Sequence, residues 1–253
     1  MSEEIKYEKK GHVGVITVDR PDKLNSFSDQ MLRDCTKLLY DLDFDEELRC
    51  LILTGTGRSF STGSDLGEAS MFDPYQMALE VAHGQLLTGK LERFRTPVIA
   101  AVNGYAVGGG LEIALSCDIR LCNEKAKFGL GEINVGTIAG WCGVYRLPEV
   151  VGESHAKMIQ YTGRNISAEE AYRIGLVEEV LAPDDLMPRA MELAETIASK
   201  APLAEEAIKR LIRGGRASFD GATDVAPLVH SEDFKEAMSA FVEKRPNRGY
   251  NRR

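Results

Sequence analysis

The chain has 253 residues, 43% of them hydrophobic and 28% charged, a composition that excludes disordered, collagenous and fibrous proteins. That length buries one large core with at most a smaller appendage, since single cores stop growing near ~250–300 residues. With 39 acidic against 31 basic residues the formal charge is −8, a sign that repels phosphate backbones, so no nucleic-acid partner is expected.

From Gly11 the stretch HVGVITVD alternates apolar and polar residues and RPDK breaks it, which predicts a half-buried strand opening the domain. Ser28 is placed to cap a helix in which Met31, Leu32, Leu38, Leu39 and Leu42 recur at helical spacing. CLILTG returns as a buried strand. The alternation repeats with a helix over 74–95, the strand PVIAAVNG, a glycine-rich loop and the helix LEIALSCD. Helices packed on mostly parallel strands, an α/β class, follow from such alternation. After Val144 strands nearly vanish, apart from the run GLVEEVL, and helical segments follow through SAEEAYRI, DLMPRAMELAETIASK and LAEEAIKRLIRGG. The expected division is a mixed core over 1–195 and a helical region over 196–253. DFKEAMSAFVEKR, with Phe234, Ala237, Met238 and Phe241 on one stripe, is expected to end the ordered chain before a basic tail, RPNRGYNRR.

The five cysteines, 35, 50, 117, 122 and 142, are scattered, without a CxxC pair or a histidine cluster. They are expected to be reduced thiols of a cytoplasmic protein, with no metal. The start, MSEEIKYEKK, lacks an apolar or Arg-rich targeting pattern, and no window approaches the ~20 apolar residues of a membrane span. No membrane partner is expected.

Chemistry concentrates in NGYAVGGGLEIALSCDI, residues 103–119. Three consecutive glycines cost backbone entropy, and a chain accepts them where a ligand or another segment must approach the main chain. The first turn of the following helix adds unpaired N–H groups and the positive end of its dipole, a place for developing negative charge. Close helix–strand packing is the plainer explanation for the glycines alone. A second loop, GRSFSTGSDL at 57–66, follows CLILTG, with Ser64 or Asp65 as a helix cap. Both loops are expected at one edge of the sheet, where ligands of such folds collect. Glu112 lies in the first turn after the glycines. Glu132 sits in KFGLGEINVGTIAG, too Gly-rich for a helix and too apolar for a solvated loop. Partial desolvation there raises a carboxyl pKa, and two carboxyl groups at one cleft supply a base and an acid. No dinucleotide GxGxxG, no phosphate-loop GKS or GKT and no GxSxG occurs. The four histidines, 12, 83, 155 and 230, suggest no triad with Ser64.

Taken in order and spacing, SFSTGSDL, AAVNGYAVGGGLEIALSCDIRL, FGLGEINVGTIAG, YRLPEVVG, TGRNISAEEAYRIGLVEEV and AFVEKR resemble the crotonase family of enoyl-CoA hydratases and isomerases, over residues 5–246. The resemblance implies the crotonase fold, a spiral of ββα units with a helical C-terminal region that builds trimers, often paired as hexamers. It implies an acyl-CoA thioester as substrate, with coenzyme A part of that substrate and no metal or redox cofactor. Carried over, the oxyanion hole falls on the backbone N–H groups of Ser64 and Gly109, and the two catalytic carboxylates on Glu112 and Glu132. Glu112 is assigned to the attacking water and Glu132 to the α carbon. Coenzyme A is expected across Lys23 and Leu24 and along Ser64, Asp65, Leu66 and Gly67, with Lys244 reaching a CoA phosphate on a neighbouring subunit. Having both carboxylates favours hydration of a trans-2-enoyl-CoA. Isomerisation, hydration of a cyclic or specialised acyl-CoA, and a non-catalytic thioester- or RNA-binding role are the alternatives. Gly131, Ala139, Trp141 and Cys142 depart from residues frequent in the family. Beside Gly140, which lines the space by the α carbon, Trp141 either walls the acyl pocket or packs in the core.

Overall fold

The computed structural model describes residues 2–214 and 220–252. Its larger sheet has six strands: β1 (Ile5–Lys10), β2 (Val13–Val18), β3 (Cys50–Gly55), β5 (Val98–Val102), β7 (Ile119–Asn123) and β10 (Glu179–Leu181), side by side in that order. A second sheet lines up β4 (Ser59–Ser61), β6 (Tyr105–Val107), β8 (Lys127–Gly129) and β9 (Ile166–Ser167). Among the described residues only the β1–β2 and β8–β9 pairs are antiparallel. Three times the chain leaves a long strand, makes a short one in the second sheet and then turns into helix, which is the expected spiral of ββα units.

The helices are α1 (Asp29–Leu42), α2 (Leu66–Ala69), α3 (Pro74–Glu92), α4 (Gly109–Leu115), α5 (Gly143–Val151), α6 (Glu153–Thr162), α7 (Ala168–Arg173), α8 (Leu186–Ala198), α9 (Pro202–Gly214), α10 (Gly221–His230) and α11 (Glu232–Glu243). Ser28 caps α1 as read from sequence, its hydroxyl accepting from the Met31 N–H. The apolar stripe of α1, with Met31, Leu32, Leu38 and Leu39, packs into the main core beneath the sheet.

Strand β2 is not half-buried as its alternation suggests. Ile16 and Val18 face the main core, while Val13 and Val15 face a second core made with Leu186, Ala190, Ala194 and Ala198 of α8. Alternation records which residues are most apolar, not whether a distant helix covers the other face. The compositional change near residue 195 falls inside α8, which lies against the sheet. Three further elements differ from the sequence reading. IKYEKK, read as a polar start, pairs as an edge strand with β2 around Gly11. ISAE begins with the short strand β9, which closes the second sheet. Glu132–Val135 makes one 3-10 turn.

The C-terminal tail does not trail off after α11. Backbone N–H groups of Asn251 and Arg252 donate to the buried Asp233 carboxylate at 2.6 and 3.0 Å, and Arg49 donates to the Tyr250 carbonyl. The stripe of α11 is open within the single chain: Phe241 is 80% exposed.

Candidate active site

The two glycine-bearing loops leave the C-terminal ends of β4 and β6, which are parallel neighbours in the second sheet. They therefore emerge at one edge, though of the smaller sheet. Helix α4 begins at Gly109, inside the glycine run, two residues earlier than the apolar pattern indicates. Side chains are excluded here by contact: a Cβ on Gly110 would lie 2.0 Å from the Ser61 carbonyl oxygen, and one on Gly63 would lie 2.4 Å from the Gly109 nitrogen. Gly63 (φ +82°) and Gly108 (φ +56°) also hold left-handed backbone that favours glycine.

Ser64 is fixed by an isolated parallel bridge to Phe27, in which Phe27 N–H donates to Gly63 O at 2.7 Å and Asp65 N–H to Phe27 O at 2.9 Å. In that pattern the N–H of Ser64 itself points away from Phe27. Asp65 caps α2 by accepting from the Gly67 and Glu68 N–H groups, and Arg20 holds its other oxygen at 2.9 Å. The start of α4 and the Ser64 loop thus meet, with Gly63 against Gly109.

Glu112 projects from the first turn of α4 and is 2% exposed. Its Oε1 accepts from the Gly143 N–H at 2.6 Å. Burial pushes this carboxyl up to about 7; the Gly143 N–H, the Trp141 backbone and Arg146 oppose the shift, and the charge of Glu132 adds to it. Glu132 stands in the 3-10 turn after β8. Its Oε1 lies 3.3 Å from where a Cβ on Gly108 would be, and its Oε2 is buried without a hydrogen-bond partner. Burial raises this carboxyl too. The structure brings the sequence-selected pair to one glycine loop, and both hold protons more tightly than ordinary glutamates.

Such a constellation, on a spiral of ββα units, agrees with comparisons to known proteins. The family model described as enoyl-CoA hydratase/isomerase matches residues 8–249. A short-chain-enoyl-CoA hydratase of Clostridium acetobutylicum is 40% identical, with 97% of each chain covered. The chain belongs to the enoyl-CoA hydratase/isomerase family. A crotonyl-CoA hydratase of Syntrophomonas wolfei is 36% identical over 96% of each chain. The crystal structure of an enoyl-CoA hydratase from Bacillus anthracis superposes with a TM-score of 0.93 at 35% identity, over 99% of this chain and 100% of that one.

The departures from family residues have definite places in this hydratase/isomerase fold. Trp141 is 3% exposed and belongs to the main core. Its ring lies between two glycines: a Cβ on Gly109 would meet it at 2.3 Å and one on Gly84 of α3 at 2.1 Å. Its segment is clamped by α3, with Gln85 donating to the Gly140 carbonyl at 2.8 Å and Thr88 to the Trp141 carbonyl at 3.1 Å. The indole thus packs in the core and simultaneously backs Gly109 of the glycine loop. Cys142 caps α5 with φ +78°, a left-handed position that costs a side-chain-bearing residue energy.

Of the residues assigned to coenzyme A, Lys23 ends a 3-10 turn and Leu24 (φ 53°) caps it. Buried Asn25 pins this loop to the turn between β3 and β4 by donating to Thr56 O and Ser59 O at 2.9 and 2.6 Å. Leu66, the first residue of α2, is exposed, and the Thr62 hydroxyl donates to the Leu24 carbonyl at 3.4 Å, which joins the loop of Lys23 and Leu24 to the loop after β4. Lys244 stands elsewhere, at the left-handed C-cap of α11, the helix that packs on α10.

One residue of the site was not legible in the sequence. Glu80 of α3 is 3% exposed and its Oε1 has no hydrogen-bond partner; burial raises its carboxyl pKa, with the Ser64 and Trp141 side chains opposing the shift. A lone Glu in PYQMALEVAHGQ looks like a solvated helix charge. The signal available was its spacing, four residues before Gly84, which puts it on the glycine face of the helix.

Proposed function

We propose that the protein catalyses the reversible syn hydration of a trans-2-enoyl-CoA thioester to the 3-hydroxyacyl-CoA. The proposal rests on one juxtaposition: the buried Glu112 and the partly buried Glu132, whose Oε2 is shut off from solvent, at a glycine loop whose Gly109 abuts the Ser64 loop. The names of the related hydratases support it.

In the reaction, the thioester oxygen accepts from the Ser64 and Gly109 N–H groups, and the N-terminal dipole of α4 favours the negative charge that grows there. Glu112, as carboxylate, takes a proton from water as the water oxygen bonds to the β carbon. The π electrons shift toward the α carbon and thioester oxygen, and the Glu132 carboxylic acid delivers its proton to the α carbon. Water is consumed whole and no electrons are exchanged with a second reactant. The reverse dehydration exchanges the two roles, so the carboxyl groups act as a pair.

Coenzyme A is taken to lie over Lys23, Leu24, Ser64, Asp65, Leu66 and Gly67, on the two loops joined by the Thr62–Leu24 hydrogen bond. The working assembly is taken to be a homotrimer or hexamer, consistent with the exposed apolar side chains of Ile212 on α9 and Phe241 and Val242 on α11. In such an assembly Lys244 reaches a neighbouring subunit's CoA phosphate. A cytoplasmic setting accords with the five unpaired thiols, four of them buried. Among the described residues no helix is long and apolar enough to cross a membrane.

Crotonyl-CoA is the first substrate to assay. Loss of its conjugated thioester absorbance on adding enzyme is the expected result. No absorbance change with any chain length, by a folded protein that binds the esters, overturns the proposal.

A further inference from the structure

Helix α11 presents its two faces in the reverse of the usual order. An amphipathic helix ordinarily turns its apolar stripe to the core, yet here Phe234, Met238, Phe241 and Val242 are exposed while Asp233 is buried and Glu236 and Ser239 are half-buried. The chain that follows the helix accounts for this. Lys244 (φ +53°) makes a left-handed turn, closed by its N–H to Phe241 O at 3.3 Å and the Arg245 N–H to Ala240 O at 3.0 Å, and residues 245–252 then run back along α11. The Arg245 guanidinium donates to Glu236 at 2.6 and 3.0 Å, to Ser239 at 3.1 Å and to Glu243 at 2.6 Å. Arg248 N–H donates to the same Glu236 at 3.0 Å, and the Asn251 and Arg252 N–H groups donate to Asp233. These acceptors stand three or four residues apart, so they form one polar stripe of the helix.

The other side of the segment is tied to the body of the protein. Arg49, just before β3, donates to Tyr250 O at 2.7 Å and to Ala198 O at the end of α8 at 3.3 Å, and the Arg252 guanidinium pairs with Glu206 of α9. Hydrophobic burial does little to hold α11 itself, since Ala240 alone among its apolar residues is buried. We propose that residues 245–252 are a strap that fixes α11 with its polar stripe inward, and that opening the strap releases α11, and with it the contacts between subunits, without unfolding the α/β core. The consequence for subunit contacts rests on the homotrimer or hexamer proposed above; the strap itself does not.

Hydrogen exchange read by mass spectrometry on the full-length protein, beside sedimentation velocity over a range of concentrations, tests the strap. Asp233→Ala removes the acceptor of two N–H groups, and Arg245→Ala removes the side chain that meets three positions of the helix. Each is expected to speed exchange across residues 233–252 by roughly 10-fold to 100-fold and to leave α1, β2 and β3 at wild-type protection. Asp233→Asn keeps one acceptor oxygen and is expected to fall between Asp233→Ala and wild type. The concentration at which the assembly dissociates into single subunits is expected to rise by a similar factor in both alanine variants. A neighbouring subunit also shields α11, so the exchange comparison is repeated with Phe241→Asp added, which breaks the apolar stripe and leaves every strap partner in place.

Wild-type exchange of α11 in folded Asp233→Ala and Arg245→Ala proteins overturns the inference. Loss of protection in β2 and β3 in step with α11 overturns it too, because the segment is then one part of a single cooperative unit. If Asp233→Ala does not fold, Arg245→Ala and Asp233→Asn decide by the same readings. A wild type that sediments as a single subunit at every concentration sinks the proposed assembly, while faster exchange of α11 in the alanine variants still upholds the strap.

Discussion

Glu112 Oε1 and the backbone N–H of Gly143 are joined by a 2.6 Å hydrogen bond that spans 31 residues of sequence. The bond ties the first turn of α4 to the first turn of α5. A Cβ on Gly143 would lie 2.7 Å from Glu112 Cγ, so only glycine lets the carboxyl occupy this place. The bond fixes the orientation of the Glu112 carboxyl group.

Replacing either carboxyl group removes proton transfer and keeps the backbone donors. Glu112→Gln and Glu132→Gln are each expected to lower kcat by roughly 10²–10⁴-fold with retained binding of the CoA ester. The double variant is expected to lose far less than the product of the singles. Steady-state kinetics with crotonyl-CoA and calorimetric binding of the saturated ester check this; full multiplicativity would show that the two carboxyls do not share a step.

Because burial lifts the Glu112 carboxyl to about 7, activity and stability should respond to pH in opposite directions. As the base, Glu112 must be ionised, so kcat/KM is expected to fall as pH drops through about 7. The folded state binds this proton more tightly than the unfolded one, so its contribution to stability is full below the usual carboxylate range and is lost as pH rises to about 7. The shift corresponds to about 3 kcal/mol at most. Thermal unfolding of Glu112→Gln should show a gain over wild type at pH 8 that disappears at pH 4. A constant difference across that range would mean that Glu112 titrates normally.

Contact between Gly63 and Gly109 leaves no room for a methyl group, and Gly63 holds φ +82°. Gly63→Ala is expected to push the Ser64 loop off the glycine loop and cut kcat by on the order of 100-fold, in a protein that remains folded by circular dichroism. Unchanged kcat in that variant would place the reacting carbonyl away from this junction.

Trp141→Ala removes a buried ring from between α3 and the glycine loop, a change that typically costs about 3–5 kcal/mol. The space it opens adjoins Gly109, so the variant should gain kcat/KM for longer enoyl esters relative to crotonyl-CoA, by about 1–3 kcal/mol. Rates with C4 to C10 esters test this. An unchanged chain-length profile in a folded variant would confine the indole to core packing.

Much of the site is legible along the chain because its parts are local. Three glycines in a row, an acid one turn into the following helix and an acid in a Gly-rich apolar segment each announce themselves within a dozen residues. Glu80 does not, since what distinguishes it from Glu46 or Glu169 is burial among side chains 16 and 61 positions away, Ser64 and Trp141.

The sequence by itself determined where the chain turns, caps and runs straight, as at Ser28, CLILTG and the glycine loop, because backbone sterics and side-chain periodicity act between near neighbours. Tertiary structure decided the rest. It laid α8 over the outer face of β2, turned the Trp141 indole onto Gly109, and folded the tail back to Asp233. Those choices come from close packing and from satisfying buried polar groups across many residues of separation, where the partner of a side chain is set by the whole fold.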